Sequence, residues 1–352
     1  MFDALILAGS FIALVFNLPS RTDGDELFCF HFFLFSAALS WFIKPKRNVT
    51  NVPLGLILVL GILTTLLHLN NYPVRASLIN LFSGIVFMKV VAERTTITTS
   101  KIAYTGIIFY VTSLIFIVLQ YLKVENFYYP QFGEIAGAST MPWMLGSSTC
   151  LFYPFVFQKF RALALCLAFP LLVMSSSVTC VVVISILTVL MVSNKSRGLI
   201  IVASIFFVVT YLFTREFSLF TMDVQPKLHR FFAWIRSLKY MKDVLIGNGI
   251  GSWAHLGFLR MNGATPEHWR WAHNEFLQYY FEQGLFGLFL ISTYVGLTLK
   301  KVWNNSTLRN SVLSIVLVSI MHPIFHFGRF LPIILVIFVL CELKLKSERI
   351  LK

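Results

Sequence analysis

A chain of 352 residues that is 57% hydrophobic and only 12% charged, with a mean hydropathy of +0.78, is too apolar for a soluble globular domain. Its formal charge of +14 sits in short basic segments between apolar runs, which is the pattern of membrane orientation, so no nucleic-acid partner is expected. The five cysteines all fall within apolar runs and read as small packing residues, so no disulfide framework, metal site or cofactor is expected from them.

In chain order, apolar runs long enough to approach or cross a bilayer predict about twelve transmembrane helices: 2–19, 27–44, 51–69, 74–92, 102–121, 142–158, 161–175, 177–193, 198–214, 273–299, 309–326 and 328–343. The first run lacks a small-residue cleavage site and is expected to stay as a span. The expected fold is therefore an all-α integral membrane protein, a single polytopic domain over 1–352. Lys44, Lys46, Arg47, Arg94, Lys101, Lys159, Arg161, Lys195, Arg197, Lys300, Lys301 and Arg309 collect on alternate loops. With Lys344, Lys346, Arg349 and Lys352 in the tail, this puts both termini on the cytoplasmic side.

One outer loop departs from the pattern. Residues 215–272 leave the bilayer for nearly sixty residues and carry Arg215, Lys227, Arg230, Arg236, Lys239, Lys242, Arg260 and Arg270 against only four carboxylates. Long loops escape the orientation rule, but a basic outer loop is also what a task on that face would need. From Pro226 to about Leu245 the spacing predicts an amphipathic helix lying among headgroups, with Trp234, Leu238, Met241 and Leu245 as one apolar stripe. Arg230 precedes Trp234 by four residues, close enough on a helix for the guanidinium to rest on the indole. Gly247-Asn-Gly-Ile-Gly251 reads as a turn, because no βαβ context surrounds it to make a nucleotide-binding loop.

Directly after the loop, His273-Asn274 is followed by nine residues, then Gly284, two residues, and Gly287. A helical projection puts His273, Leu277, Tyr280, Gly284 and Gly287 on roughly one face, where the glycines would let a neighbouring helix approach. An ionisable ring at the mouth of an apolar helix is a functional candidate, although an interfacial histidine bonded to a loop carbonyl is the plainer reading. Glu282 lies on the opposite face, where a hydrogen bond to a neighbouring span is expected before a catalytic role. Arg329, between the last two spans, is either a snorkelling anchor or an anion ligand. His322 and His326 are expected to serve packing. No Ser-His-Asp set, P-loop, paired-cysteine site, heptad or repeat appears.

The His273-Asn274…Gly284…Gly287 spacing resembles the signature of the bacterial O-antigen ligase and O-antigen polymerase superfamily. Arg230, Trp234 and the Gly247/Gly249 turn follow the order seen in that family, and the resemblance covers about 140–345. Relatives often carry an arginine at the outer start of the span corresponding to Ser175–Thr179, and here none stands there. The resemblance implies a GT-C-like, metal-independent membrane glycosyltransferase in the bacterial inner membrane, with its active site facing the periplasm and no cofactor. The implied donor is a glycan on undecaprenyl diphosphate, and the acceptor is a sugar of lipid A-core (ligase) or another lipid-linked glycan (polymerase), with membrane lipids as surroundings. His273 would be the general base and Asn274 would orient the acceptor or the helix entry. Arg230, Arg329, Arg215 or Arg236 would hold the diphosphate, with Trp234, Gly284, Gly287 and Glu282 in support. The intact histidine signature favours the ligase, and the absent arginine and compact loop favour the polymerase. A non-catalytic glycan transporter would instead spread charge through a central cavity, whereas this sequence concentrates it on one loop.

Overall fold

The computed structural model describes residues 2–15, 24–40, 43, 72–124, 142–175, 177–192, 197–198, 200–201, 205, 233–235, 237–253, 272–326 and 329–350. Within them the chain forms helices and turns, with no strand. In order these are α1 (Phe2–Val15), α2 (Gly24–Ser40), α3 (Tyr72–Arg94), α4 (Thr99–Tyr121), α5 (Pro142–Lys159), α6 (Arg161–Met174), α7 (Val178–Met191), α8 (Glu275–Val302), α9 (Ser306–Ser319) and α10 (Leu331–Ile350). Each coincides with one apolar run in the sequence. The run 51–69 and most of 198–214 lie outside the described residues. Thr99–Tyr121 and Glu275–Val302 are long and apolar enough to cross a membrane, and several shorter apolar helices accompany them.

The packing centre is α5, which touches α4, α6, α7 and α9 and is buried without interruption from Met144 to Phe157. The run Gly146-Ser-Ser-Thr-Cys150 explains how a helix can be enclosed this tightly: small side chains let neighbouring backbones approach. A Cβ on Gly146 would lie 2.8 Å from both Cys180 Sγ of α7 and Ser175 Oγ. Ser147 and Thr149 of this run turn their hydroxyls back onto the carbonyls of Trp143 and Leu145, and further bonds join α5 to its neighbours. Tyr110 donates to the Thr149 carbonyl at 2.9 Å, Tyr153 and Thr188 share a bond of 2.6 Å, and Ser314 donates to the Cys150 carbonyl at 2.7 Å. The outward face is the reverse. On α4, Tyr104, Ile108, Val111, Ile115, Val118 and Leu122 form an exposed apolar stripe at helical spacing, suited to lipid contact.

Charge sorts to the two ends of the bundle. At one end Asp3 accepts from Thr96 and Lys101, Lys159 lies 4.2 Å from the Tyr104 ring centre, and Lys301 pairs with Glu342 at 2.9 Å. The other end collects the starts of α5, α7 and α8 and the connection from α9 to α10. The sequence reading ran the eleventh span on to His326. The structure instead ends α9 at Ser319 with Ile320 as its cap, so 320–326 lie outside the helix, as do 329–330 before α10. The amphipathic helix is also shorter than its spacing predicted: helix is present at 233–235 and 237–238, and turns replace it from Lys239 onward. Leu238 and Leu245 are exposed, so they do not share a buried stripe with Trp234.

Gly146→Ala should destabilise the fold by about 1–3 kcal/mol, the usual cost of overpacking. Gly296→Ala, at a site on α8 with nothing within 4 Å of the added carbon, should be neutral or stabilising by up to about 1 kcal/mol. Melting temperatures of the detergent-purified variants check the contrast, and equal shifts would contradict the packing.

Candidate functional site

The His-Asn motif is the entry to α8. Asn274 is its N-cap, with extended backbone and a side-chain oxygen that accepts from the Leu277 amide at 3.0 Å. His273 therefore stands outside the helix, at φ 54, a left-handed conformation that costs a non-glycine residue about 1–3 kcal/mol. Its neighbour Ala272 is tied on both sides. The Ala272 amide donates to Gln278 Oε1 at 3.0 Å, and its carbonyl accepts from Trp234 Nε1 at 2.6 Å. Trp253 and Phe281 meet edge-on at 5.2 Å and close an apolar patch with Ala272, against which Trp234 and Leu277 pack. The indole of the loop thus holds the histidine turn.

The glycines have a different purpose from the one their spacing suggested. Gly284 does not lie on a packing face. It breaks α8, with φ 65 and ψ −164. The glycine-rich turn of the loop docks into the break. Asn248 and Gly249 amides donate to the carbonyls of Phe281 and Glu282 at 3.0 and 2.8 Å, and Leu285 and Phe286 amides donate to Val244 and Leu245 carbonyls at 2.9 and 3.1 Å. A Cβ on Gly284 would stand 2.2 Å from the Leu245 carbonyl oxygen, and one on Gly247 (φ 74) 2.5 Å from the Gly284 nitrogen. Gly287 makes room for the Gln283 side chain of its own helix. His273, Gly284 and Gly287 consequently share no continuous helix face.

Two buried carboxylates flank the break. Glu282 accepts from the Gly251 amide at 2.9 Å and from Gln278 Nε2 at 3.1 Å, which ties the loop to α8. Glu275, in the first turn of α8, accepts from the Phe325 and His326 amides at 2.6 and 3.1 Å and from His326 Nδ1 at 2.5 Å. His326 Nε2 lies 3.5 Å from Glu282. Burial alone would lower the His326 pKa, but the charge of Glu275, reinforced by hydrogen bonds to both carboxylates, raises it to about 10. A protonated His326 offsets one charge of the carboxylate pair, and its bonds tie the segment after α9 to α8, which is more than the packing role expected for it.

A second contact chain reaches His273 from α5. Trp143, near the start of α5, meets the His273 ring edge-on with centres 6.3 Å apart and stacks in parallel on His322 at 5.2 Å. His322 in turn bonds Ser177 Oγ at 3.2 Å. Ser177 caps α7 by accepting from the Cys180 amide. Arg329 is buried at 4% exposure, beside Phe330, whose ring lies 6.0 Å from Trp143. The structure thus gathers His273, Asn274, Trp234, Glu282 and Arg329 at one end of the bundle. Arg215, Arg230 and Arg236 lie outside the described residues. Glu275, Trp143, Ser177 and the pairing of the two connection histidines went unread in the sequence. The signals were there for some of them: Glu275 follows the N-cap directly, and His322 and His326 stand four apart just past a span.

Gly284→Ala should undock the 243–251 turn, because the added carbon meets backbone at a φ unfavourable to alanine. Limited proteolysis should then cut within 243–251 several-fold faster than in the wild type, and unchanged protection would contradict the docking.

No curated protein compared with the sequence matches it. Residues 162–292, from the start of α6 to beyond the break in α8, match the O-antigen ligase family model, a segment that contains the glycine turn, the His273 motif and both carboxylates. Over that segment the chain is similar to the O-antigen ligase family, which supports the resemblance read from the His273 motif.

Proposed function

We propose that the protein moves a glycan from undecaprenyl diphosphate to a sugar hydroxyl of lipid A-core, on the periplasmic face of the inner membrane. The observation that carries this reading is the built environment of His273. Its turn is held in a strained conformation by an N-cap, a tryptophan and a docked loop, inside the segment that matches the ligase family. Strain of this kind persists where the surroundings over-determine a residue, commonly at functional sites. Twelve crossings, both termini in the cytoplasm and the outward-facing site remain part of the proposal, supported by the basic residues at the opposite end of the bundle.

In this mechanism the acceptor hydroxyl gives its proton to His273 as its oxygen bonds to the anomeric carbon. The bond from that carbon to the diphosphate breaks, and undecaprenyl diphosphate leaves with the electron pair. Attack opposite the leaving group inverts the anomeric carbon. A base of ordinary imidazole pKa, about 6.5, can take the proton at neutral pH, and such help is worth about 10²–10⁴-fold in rate. Diphosphate is a good leaving group, so the remaining task is to stabilise its growing charge. Arginine suits this with a fixed fork of donors in a low-dielectric site. Arg230 is assigned that role first and Arg329 second, with Arg215 and Arg236 as further candidates. Asn274 orients the helix entry, and Glu282 holds the loop.

A polymerase joining lipid-linked repeats is the second reading, favoured by serine instead of arginine at Ser175–Ser177. Deleting the gene and resolving lipopolysaccharide on gels separates the two. Core alone, with lipid-linked polymer accumulating, identifies the ligase. Core bearing a single repeat identifies the polymerase, and a normal ladder rejects both. His273→Ala should lower transfer at least about 10²-fold with membrane insertion unchanged; full activity would remove His273 from the mechanism. Arg230→Ala should do similar damage, and Arg230→Lys should recover only part of it because the planar fork is lost.

A further inference from the structure

Beside the His273 turn, one buried imidazole has half of its polar capacity unused. His322 is 5% exposed, and its Nδ1 has no hydrogen-bond partner among the described residues. A buried donor or acceptor left without a partner costs about 1–3 kcal/mol, and such a group in a native structure calls for an explanation. His322 is not loosely packed. Its plane lies on Trp143 with an interplanar angle of 9°, and its other nitrogen is committed to Ser177 at 3.2 Å. The ring is therefore fixed in both plane and rotation.

The proton inventory decides what the unused nitrogen offers. Ser177 Oγ already accepts from the Cys180 amide as the N-cap of α7. Its hydroxyl hydrogen can be donated to His322 Nε2 at 3.2 Å, which selects one of the two tautomers open to the neutral ring. With Nε2 accepting, the neutral ring carries its hydrogen on Nδ1, and the protonated ring carries one there as well. In either state Nδ1–H is a donor, so what it lacks is an acceptor oxygen. The groups around it suit an anionic one. Arg329 is buried in the same connection, and His273 meets the same indole edge-on.

We propose that His322 Nδ1 donates a hydrogen bond to a phosphoryl oxygen of the lipid diphosphate, with Ser177 and Trp143 as positioning residues that aim it. This rests on the functional reading above. It assigns part of the diphosphate site to a neutral donor carried on 320–326, in addition to the arginines.

The test is binding of undecaprenyl diphosphate to the detergent-purified full chain, with undecaprenol as the probe lacking phosphate. His322→Phe keeps a ring for the Trp143 stack and removes both nitrogens. It should weaken undecaprenyl diphosphate binding about 10- to 100-fold and leave undecaprenol binding unchanged. His322→Asn, whose amide nitrogen can stand near the Nδ1 position, should recover most of the loss. Ser177→Ala keeps His322 but frees its ring, and should weaken diphosphate binding several-fold with undecaprenol binding unchanged, while the lost α7 cap lowers the melting temperature. Wild-type affinity for the diphosphate in His322→Phe and Ser177→Ala would overturn the proposal while leaving the glycosyltransferase reading intact. An equal loss of undecaprenol binding would overturn it too, since the defect would then lie in the lipid groove. A wild-type protein that binds undecaprenyl diphosphate no better than undecaprenol would defeat the functional reading itself.

Discussion

The break in α8 at Gly284 is the constraint on which the rest of this end of the molecule depends. Interrupting a helix frees backbone donors and acceptors, and in apolar surroundings each must find another partner or cost several kcal/mol. Here the partners come from the loop, whose backbone supplies two amides and two carbonyls to the freed groups. The exchange works only if the two backbones touch, and it is the two glycines at φ 65 and 74 that let them. The helix thereby acquires a docked loop, and that loop carries Trp234 to the carbonyl beside His273.

Charge completes what the backbone begins. Glu275 and Glu282 sit seven residues apart on the buried side of α8, each almost without exposure. A lone buried carboxylate would be strongly disfavoured. Together with His326 and three amide donors they form a satisfied network that spans the loop, the helix and the α9–α10 connection. The network fixes the connection in place, and the connection holds His322 and Arg329. Two independent ties, one of backbone and one of charge, therefore bring groups from four segments to one site. Such a site can be rigid although it is assembled from helix ends and loops, because each tie is made to the interior of α8 and not to another loop.

How much of this was legible in the sequence follows from which physics was local. Apolar runs located each described helix, although the ends of α9 and α10 lie seven residues from where the runs were drawn to stop. Asn274 was readable as part of the helix entry because N-capping acts within three residues. The Gly247–Gly251 turn was legible for the same reason. Gly284 and Gly287 were misread as a helix-packing pair, because small-xxx-small spacing and a docked break leave similar traces. Only the partner backbone at Val244–Gly249 distinguishes them, and that partner is 35 or more residues away in sequence. The carboxylate–imidazole network escaped for the same cause: Glu275 and His326 are separated by 51 positions, and nothing local to either announces the other. The amphipathic stripe was drawn too long because periodicity continued past Leu238 while the chain had already turned.

The segment Ser175–Ser177 shows how such distant pairing alters the chemistry expected of a site. As a sequence it is simply short of charge where a cation would suit an anionic substrate. In the fold, the small side chains at this corner let α5, α6 and α7 close together, with Gly146 against Ser175 and Cys180. A long arginine would have to leave that contact, whereas serine caps α7 and still presents a hydroxyl to a neighbour. The neighbour is His322, brought from the far end of the chain and braced by Trp143. A polar donor can thus reach this corner without a charged side chain being built into it. The desolvation of a fixed cation is avoided, at the expense of the Coulomb attraction it would have exerted. On the proposed reading, hydrogen-bond direction at this corner works beside the arginines in orienting the diphosphate.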